Sequence, residues 1–339
     1  IDLRSGAFRS GRREDNVTQT AGTAFDPSAR CPRWQQFLSE VFDDGQRTEE
    51  QVGDLCGFIQ RAVGYTLTGS TREQCFLLLH GSGLNGKSVF LSTIAALLGE
   101  YAHSADFTTF LVDYRRTGGA ATPDLSAFDR ARFVSAGEAE DGARFSAARL
   151  KALTGSDLIT ARALYAGVRT FSPQFTLWLA VNHLPGVRDT SPAMWRRVRC
   201  VPFTVSFAGR EELDLINMLR GELPGILQWA IEGCVTWQRD GLGTPPEVIS
   251  ATQAYRTAED TIGQFLTAQC VFRPTAQVSA RDLFAAYVNW CAAAGERALT
   301  QRAMALELSR HGNVLKTNDS RTRRALYLGV GLAEEAALL

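Results

Sequence analysis

The chain has no excess of charge of either sign. Lys and Arg total 36 and Asp and Glu total 36, so the formal net charge at pH 7 is zero. This balance excludes a strong overall field that would attract nucleic acid, and any basic surface must be local. Residues 144–199 hold nine Lys or Arg against two acidic residues, and residues 296–324 hold seven against three. Each run is either a nucleic-acid contact or an ordinary solvated face.

The chain also lacks paired cysteines and long apolar runs. Its seven cysteines are scattered, without a Cys-x-x-Cys pair or a Cys/His group at metal-ligand spacing, so we expect reduced thiols and a cytosolic protein. No apolar run approaches the roughly 18 residues of a membrane span and no signal peptide is visible, so we expect no membrane partner. The composition, 45% hydrophobic and 21% charged, is that of a folded globular chain.

Apolar spacing and turn residues divide the first two thirds of the chain into three predicted segments. Residues 1–30 are polar and show no periodicity, which predicts an arm or linker. Residues 31–75 show helical spacing and are predicted to form a helical N-terminal domain that supports oligomerisation. Residues 76–210 are predicted to form an α/β core with parallel strands. This prediction depends on continuous apolar runs of the kind found in strands buried on both faces, at 76–80, 131–136 and 175–181.

The remaining chain predicts a lid and a C-terminal domain. Residues 211–245 have a largely helical pattern that a Gly- and Pro-rich stretch ends, and we predict a helical lid there. Residues 260–332 contain predicted helices at 280–293 and 301–311, followed by a basic hairpin. Two helices followed by a basic hairpin resemble a winged helix, so we predict a winged-helix-like domain.

One glycine-rich stretch carries the strongest functional signal. It has the pattern G-x-x-x-x-G-K-S and lies between a predicted strand, 76–80, and a predicted helix, 89–99, as a phosphate loop requires. The glycines let backbone N–H groups surround a phosphate, and the helix N-terminus adds further donors. Lys87 would reach the β- and γ-phosphates, and Ser88 would hold Mg²⁺. We therefore predict that ATP and Mg²⁺ bind here, at Gly81, Ser82, Gly83, Leu84, Asn85, Gly86, Lys87 and Ser88.

Two carboxylates follow the second predicted strand of the core. Glu138 and Glu140 come just after the apolar run 131–136. A P-loop ATPase needs a carboxylate in this place, to hold the metal and to orient the attacking water. We predict that this pair supplies it, with Glu138 as a metal ligand. Which of the two performs each role stays open.

Further catalytic groups are predicted after the third strand of the core. Asn182 follows the run 175–181, and a polar side chain at the carboxyl end of a central strand lies beside the γ-phosphate. Arg196 and Arg197 come shortly afterwards. Their guanidinium groups suit charge that develops on a transferring phosphoryl group, and a neighbouring subunit could present one of them.

Taken together, these motifs resemble those of superfamily 3 helicases, in particular the helicase part of phage and plasmid P4-type primase–helicases and the poxvirus D5-type proteins. The resemblance covers nearly the whole chain and keeps the family's order of motifs. It is carried by residues 2–6 (DLRSG), 31–38 (CPRWQQFL), 64–69 (GYTLTG), 83–88 (GLNGKS), 151–157 (KALTGSD) and 182–185 (NHLP).

The resemblance implies an AAA+-type fold, a hexameric ring, hydrolysis of ATP with Mg²⁺, and 3′ to 5′ movement along single-stranded or forked DNA in a bacterial host's cytoplasm. It also implies an associated primase and a hairpin that faces the central pore. Arg197 matches the arginine finger best, with Arg196 as the alternate. Many superfamily 3 members have adjacent acids where Ala139 separates Glu138 from Glu140 here. The DNA contacts implied are Lys151, Arg162, Tyr165 and Arg169.

Two other functions are compatible with the sequence. A P-loop kinase of small molecules would share the phosphate loop, but DNA would not stimulate its activity. A DNA-binding and assembly module would use the nucleotide only to close a ring, and the C-terminal basic segment would recognise an origin or a partner. Such a module would not need Lys87, a carboxylate and a finger arginine together, and the sequence offers all three.

Overall fold

The computed structural model of the chain describes residues 1–113, 123–137, 142–162, 167–309, 314–318 and 323–333. The chain divides into two compact units, Ile1–Tyr255 and Arg256–Leu339. The boundaries that the sequence predicts at residues 75 and 210 therefore both fall inside the first unit. The physical reason is a shared core, described below, between the sheet and the helices that precede and follow it.

The first unit contains nine α-helices and seven strands among its described residues. In chain order they are α1 (Pro32–Phe42), α2 (Glu49–Thr68), β1 (Phe76–His80), α3 (Lys87–Leu98), β2 (Ala102–Ser104), α4 (Pro123–Ser126), β3 (Phe133–Gly137), α5 (Ala147–Leu153), β4 (Ile159–Arg162), β5 (Val168–Phe171), β6 (Thr176–Val181), α6 (Pro192–Trp195), β7 (Val198–Pro202), α7 (Leu215–Gly221), α8 (Leu223–Asp240) and α9 (Pro246–Glu259), the last of which continues into the second unit.

Five of these strands form the central sheet, in the order β2-β3-β6-β1-β7, and every neighbouring pair is parallel. The prediction of an α/β core with a parallel sheet is confirmed. All six residues of β6 are buried, as expected for a central strand covered on both faces. Because the strands are parallel, their carboxyl ends lie at one edge of the sheet, where ligands bind in open α/β sheets.

The helices before and after the sheet pack on the same face of it. Trp34 of α1 contacts Phe90 of α3 and Trp229 of α8, with ring centroids 5.6 Å apart in each pair. Helices α2 and α8 approach closely at two glycines. A Cβ on Gly64 would lie 2.1 Å from the backbone N of Cys234, and a Cβ on Gly233 would lie 2.2 Å from the carbonyl O of Gln60. This core joins the predicted N-terminal domain and lid to the sheet.

The first 30 residues, predicted to be an arm or linker, are attached to the body of the first unit. Glu100 accepts a hydrogen bond from the backbone N of Thr20 at 2.6 Å, and its carbonyl accepts one from the Gln19 amide at 2.8 Å. The backbone N of Gly22 donates to the carbonyl of Leu97 at 2.9 Å. This segment therefore lies across the C-terminal end of α3.

The second unit consists of three helices and an antiparallel sheet. Its elements are α10 (Thr261–Gln269), β8 (Cys270–Ser279), α11 (Ala280–Ala293), α12 (Gln301–Leu308), β9 (Leu315–Asn318) and β10 (Ala325–Leu332), and the strand order is β8-β10-β9. Phe265, Leu283 and Tyr287 lie in its own buried core. The predicted helix at 280–293 is confirmed at both ends, whereas the next helix ends at Leu308 rather than at residue 311. In neither unit is any described helix long and apolar enough to cross a membrane.

Candidate nucleotide-binding site

The glycine-rich loop joins the carboxyl end of β1 to the N-terminus of α3. Gly83 and Gly86 have φ angles of +101° and +84°, a region that favours glycine. Gly81 is required for a different reason, because a Cβ there would lie 2.1 Å from both the Asn85 amide nitrogen and the Phe203 carbonyl oxygen. The loop is thus folded back on itself and pressed against the chain that follows β7.

Lys87 lies at the start of α3 and is almost completely buried, with 5% of its surface exposed. Its Nζ donates hydrogen bonds to the carbonyl of Gly81 at 2.6 Å and to Oδ1 of Asn85 at 2.8 Å. A third bond, of 3.1 Å, goes to Oδ1 of Asn182. All three acceptors are neutral, so they do not offset the cost of burying the ammonium charge, and burial lowers the pKa of Lys87 to about 8.

Asn182 reaches Lys87 because of the parallel pairing of β1 with β6. His80 pairs with Val181 at the ends of these strands, so the next residue of each chain leaves the sheet at the same edge. The sequence predicts Asn182 beside the phosphate loop, and the structure brings its side chain to 3.1 Å from Lys87. A polar amide beside the γ-phosphate position could orient an attacking water.

Asn85 makes contacts that the sequence pattern did not reveal. Its side chain is buried, and its amide nitrogen donates to the carbonyl of Phe203 at 3.1 Å while its oxygen accepts from Lys87. The backbone N of Phe203 donates to the carbonyl of His80 at 2.8 Å, and that of Phe207 to the carbonyl of Leu84 at 2.8 Å. The chain after β7 therefore holds the loop in place. The one indication in the sequence is that Asn85, whose side-chain amide can both donate and accept hydrogen bonds, lies among glycines.

His80 is a second neighbour of the site that sequence reasoning missed. It ends β1 and is half-buried. Burial lowers the pKa of its imidazole, and the positive charges of Lys87 and His183 lower it further. A neutral imidazole beside Lys87 adds no positive charge to the loop, which keeps Lys87 as the main local cation.

The residues predicted to hold Mg²⁺ are only partly described. Ser88 lies in the first turn of α3 and is exposed, so its hydroxyl oxygen is open to a ligand. Oxygen donors of this kind suit a hard cation, and Ser88 fits the predicted metal role. Glu138 and Glu140 lie outside the described residues. They follow Gly137, the last residue of β3, which neighbours β6 in the sheet.

A cleft of about 390 Å³ adjoins the loop. Leu84, Gly86 and Val89 form the side nearest the loop and α3. Arg33 spans part of the cleft, since its guanidinium contacts Glu40 at 3.1 Å and Glu212 at 2.6 Å. The other lining residues are Phe37, Phe207, Arg210, Glu211 and Leu215.

The two arginines predicted as finger residues occupy different environments. Arg197 is buried, with 8% of its surface exposed, and its Nε donates to Oγ1 of Thr154 at 3.2 Å. It also donates to the carbonyl of Ala193. Arg196 is exposed, and its guanidinium donates to Oε1 of Gln74 at 2.5 Å. A group that acts on a neighbouring subunit must be accessible, so the geometry favours Arg196, the alternate, over Arg197.

The residues predicted to contact DNA lie on and beside a two-stranded hairpin. Strands β4 and β5 pair in antiparallel fashion, and the tip between them, which includes Tyr165, lies outside the described residues. Arg162 and Arg169 are exposed on these strands, and Arg169 lies 3.7 Å from Asp129. Lys151 of α5 is instead engaged in an ion pair with Asp189 at 2.5 Å.

The depressed pKa of Lys87 predicts a pH dependence of nucleotide binding. Below pH about 8 the ammonium is charged in the free protein, and above it the charge that attracts phosphate is lost. The dissociation constant for ATP should therefore rise as the pH increases from 7 to 9.5. Titration of a fluorescent ATP analogue across this range measures it. An affinity that stays constant, or improves, would contradict this role for Lys87.

Folding stability should show the opposite trend over the same range. The unfolded chain keeps the proton of Lys87 up to pH about 10.4, whereas the folded chain loses it at about 8. Unfolding then takes up protons between these values, so this group makes the free energy of unfolding rise with pH there. A melting series without nucleotide separates this effect from the loss of binding.

Comparisons with known proteins give one family match and several viral relatives. The family description "D5 N terminal like" matches residues 1–43. The protein "Putative helicase 022R" of Frog virus 3 is 29% identical over 278 residues, which cover 76% of this chain and 27% of that protein. "Putative primase C962R" of African swine fever virus is 27% identical over 261 residues, covering 70% and 26%. The chain thus spans about a quarter of the length of the curated relatives it matches.

A solved structure has the same fold. The apo structure of the C-terminal region of NrS-1 superposes with a TM-score of 0.59 at 11% identity, covering 93% of this chain and 79% of that one. At this identity the likeness concerns the fold alone. The N-terminal family match, the viral helicase and primase relatives and this shared fold together confirm that the chain resembles the D5-like primase–helicase family.

Proposed function

We propose that this chain is an ATP hydrolase with an AAA+-type core and acts as the helicase part of a D5-like primase–helicase. The observation that carries the proposal is the meeting of Lys87 with Asn182 at the carboxyl edge of the parallel sheet. In the sheet order, β1 ends in the phosphate loop, the adjacent β6 ends in Asn182, and the next strand, β3, leads to the predicted carboxylates. This is the arrangement that hydrolysis of a nucleoside triphosphate requires.

The cleft beside the loop is the place for the base and ribose. Its volume lies within the roughly 300–1,000 Å³ of typical small-molecule sites, and it begins where the phosphate loop ends. Phe37 and Phe207 supply apolar surface for a planar base, and Arg33 and Glu212 supply polar groups at the rim. With the base in this cleft, the phosphates would extend across the N-terminus of α3.

Nucleotide binding would change the partners of Lys87. Its Nζ now bonds to loop and strand oxygens, and a β- or γ-phosphate would offer a charged acceptor instead. Asn182, released from Lys87, could then orient the attacking water, and Glu138 or Glu140 would polarise it. Mg²⁺, held by Ser88 with Glu138, would neutralise charge on the phosphates.

DNA translocation is proposed through the β4–β5 hairpin of a ring. Arg162 and Arg169 provide positive charge on the exposed face of this antiparallel hairpin, suited to the phosphates of a single strand. Strain at the ATP site would move the hairpin and with it the bound strand.

A second candidate function is supported by the C-terminal unit. Its element order, helix-strand-helix-helix-strand-strand, suits a winged helix, and α12 would be the recognition helix. Arg302, Lys316, Arg323 and Arg324 are exposed on it. These features support a DNA-binding module for an origin or fork. No described feature specifically favours a small-molecule kinase.

The proposal is tested by ATP hydrolysis at fixed salt, with and without single-stranded DNA. We expect DNA to stimulate hydrolysis, and Lys87→Ala to abolish both the basal and the stimulated rates. Hydrolysis that is unaffected by DNA would contradict the motor and favour the kinase. DNA binding without hydrolysis would favour the assembly module.

A further inference from the structure

Helix α5, which precedes the hairpin, is joined by an ion pair to the segment just before α6. Lys151 lies in the last turn of α5, eight residues before the start of the hairpin in the sequence. Its Nζ lies 2.5 Å from Oδ2 of Asp189 and 3.3 Å from Oγ of Ser191. The other oxygen of Asp189 accepts from the backbone N of Ser191 at 2.9 Å, and Ser191 is the residue that precedes α6. The pair therefore joins the end of α5 to the start of α6.

A second link runs from the same end of α5 to the opposite end of α6. Arg197 follows α6, and its Nε donates to Oγ1 of Thr154, the residue that follows α5. Thr154 in turn donates to the carbonyl of Leu150 at 2.6 Å. Thr154 and Arg197 are both buried, so water does not compete for this bond. The two links therefore hold the C-terminal end of α5 to both ends of α6.

The same region is anchored to the strand that carries the phosphate loop. The backbone N of Phe76, the first residue of β1, donates to the carbonyl of Arg197 at 2.9 Å. Arg196, which caps α6, is exposed on the surface beside it. The α6 segment thus carries the exposed Arg196 and contacts both the start of β1 and the helix that precedes the hairpin.

We propose that Lys151 and Arg197 are positioning residues that join α6 to α5, so that the hairpin moves together with the surface that carries Arg196. This inference rests on the proposed function and assigns both residues a role other than the DNA contact and the finger that the sequence suggests. The charge of Lys151 is already matched by Asp189, which leaves little of it for a DNA phosphate. The guanidinium of Arg197 donates hydrogen bonds to Oγ1 of Thr154 and to the carbonyl of Ala193, both within the same chain.

Asp189→Asn provides the decisive test, made in the full chain beside Lys151→Met and the double variant. If Lys151 is a positioning residue, Asp189→Asn and Lys151→Met should each reduce the stimulation of ATP hydrolysis by single-stranded DNA about tenfold. The double variant should lose no more than either single one, because the two side chains act as one unit. Hydrolysis without DNA should be unchanged in Asp189→Asn. Asp54→Asn is the matched control, since Asp54 is exposed on α2 and the substitution makes the same change in charge.

A direct DNA contact by Lys151 gives the opposite pattern. Asp189→Asn would then remove an acid beside the DNA and leave binding equal or tighter, while Lys151→Met alone would weaken binding and reduce its salt dependence. That result would overturn the inference. Thr154→Val removes the acceptor of Arg197 and tests the second link in the same assay, again with the expected loss of stimulation.

Melting temperatures keep this test separate from that of the proposed function. Lys151→Met and Asp189→Asn should each lower the melting temperature by a few degrees. The double variant should melt no lower than the less stable of the two single variants. Additive losses would contradict the ion pair even in a chain without helicase activity. Wild-type hydrolysis that ignores DNA would instead contradict the proposed function, and the melting cycle would still decide whether the two residues form one unit.

Discussion

Replacing Lys87 with methionine is expected to reduce ATP hydrolysis by at least about 10³-fold, since fixed charges that stabilise a transferring phosphoryl group have effects of this order. Lys87 follows the glycine-rich loop and lies at the N-terminus of α3, where it would be the cation of the proposed phosphate site. Methionine keeps the length of the side chain and removes the charge. It also leaves the backbone donors of the loop in place, so nucleotide affinity should fall less than the rate.

The stability of this variant should change little. The substitution removes three hydrogen bonds, to Gly81, Asn85 and Asn182, which destabilises the loop. It also removes a buried ammonium whose pKa is lowered to about 8 by burial, which offsets part of that loss. A melting temperature within a few degrees of the wild type would show that the lost activity is chemical.

Ser82→Ala is the control for this experiment. Ser82 is exposed in the same loop and contributes its backbone N–H to the predicted phosphate site, so its side chain should be dispensable. Single-turnover hydrolysis and binding of an ATP analogue, measured on both variants, separate the rate from the affinity. Retained hydrolysis in Lys87→Met would remove the proposed active site.

The sheet shows which parts of a fold a sequence can specify. Strands β1 and β6 were predicted to within one residue because each is a continuous apolar run, which only burial on both faces explains. Strand β2 has three residues and no pattern of its own, and β7 includes Arg199 within a basic run. Both exist because a neighbouring strand offers hydrogen bonds, which no local pattern encodes. The start of α3 was placed two residues late, because Lys87 and Ser88 interrupt the apolar spacing.

In the candidate site, too, some features follow from the local sequence and others depend on distant parts of the chain. The positions of the glycine-rich loop and of Asn182 could be predicted, because their place after a strand puts them at the edge of the sheet. The role of Asn85 could not, since it depends on the chain returning to place the carbonyl of Phe203 beside it, 118 residues later. The preference for Arg197 over Arg196 came from a resemblance between motifs. Burial distinguishes the two, and burial of adjacent residues cannot be inferred from a run of basic side chains.

Arg196→Ala and Arg197→Ala should therefore fail in different ways. Arg196 is exposed, so its removal should leave the melting temperature unchanged and lower the maximal rate of hydrolysis by about 10³-fold, at the lower end of the effect of finger arginines. Arg197 is buried and bonded to Thr154 and Ala193, so its removal leaves unpaired acceptors and should lower the melting temperature by several degrees. Hydrolysis and melting, measured on the same preparations, separate the two effects.

Mixing two inactive variants tests whether Arg196 acts on a neighbouring subunit. A Lys87→Met subunit still offers Arg196, and an Arg196→Ala subunit still has an intact phosphate loop. In a mixed ring, some interfaces would combine the intact loop of one subunit with the arginine of the next, so hydrolysis should reappear and reach a maximum near equal proportions. A chain that acts alone could not regain activity in this way. Full activity of Arg196→Ala by itself, with loss of activity in Arg197→Ala at unchanged melting temperature, would return the finger role to Arg197 and would require its guanidinium to leave Thr154 when subunits assemble.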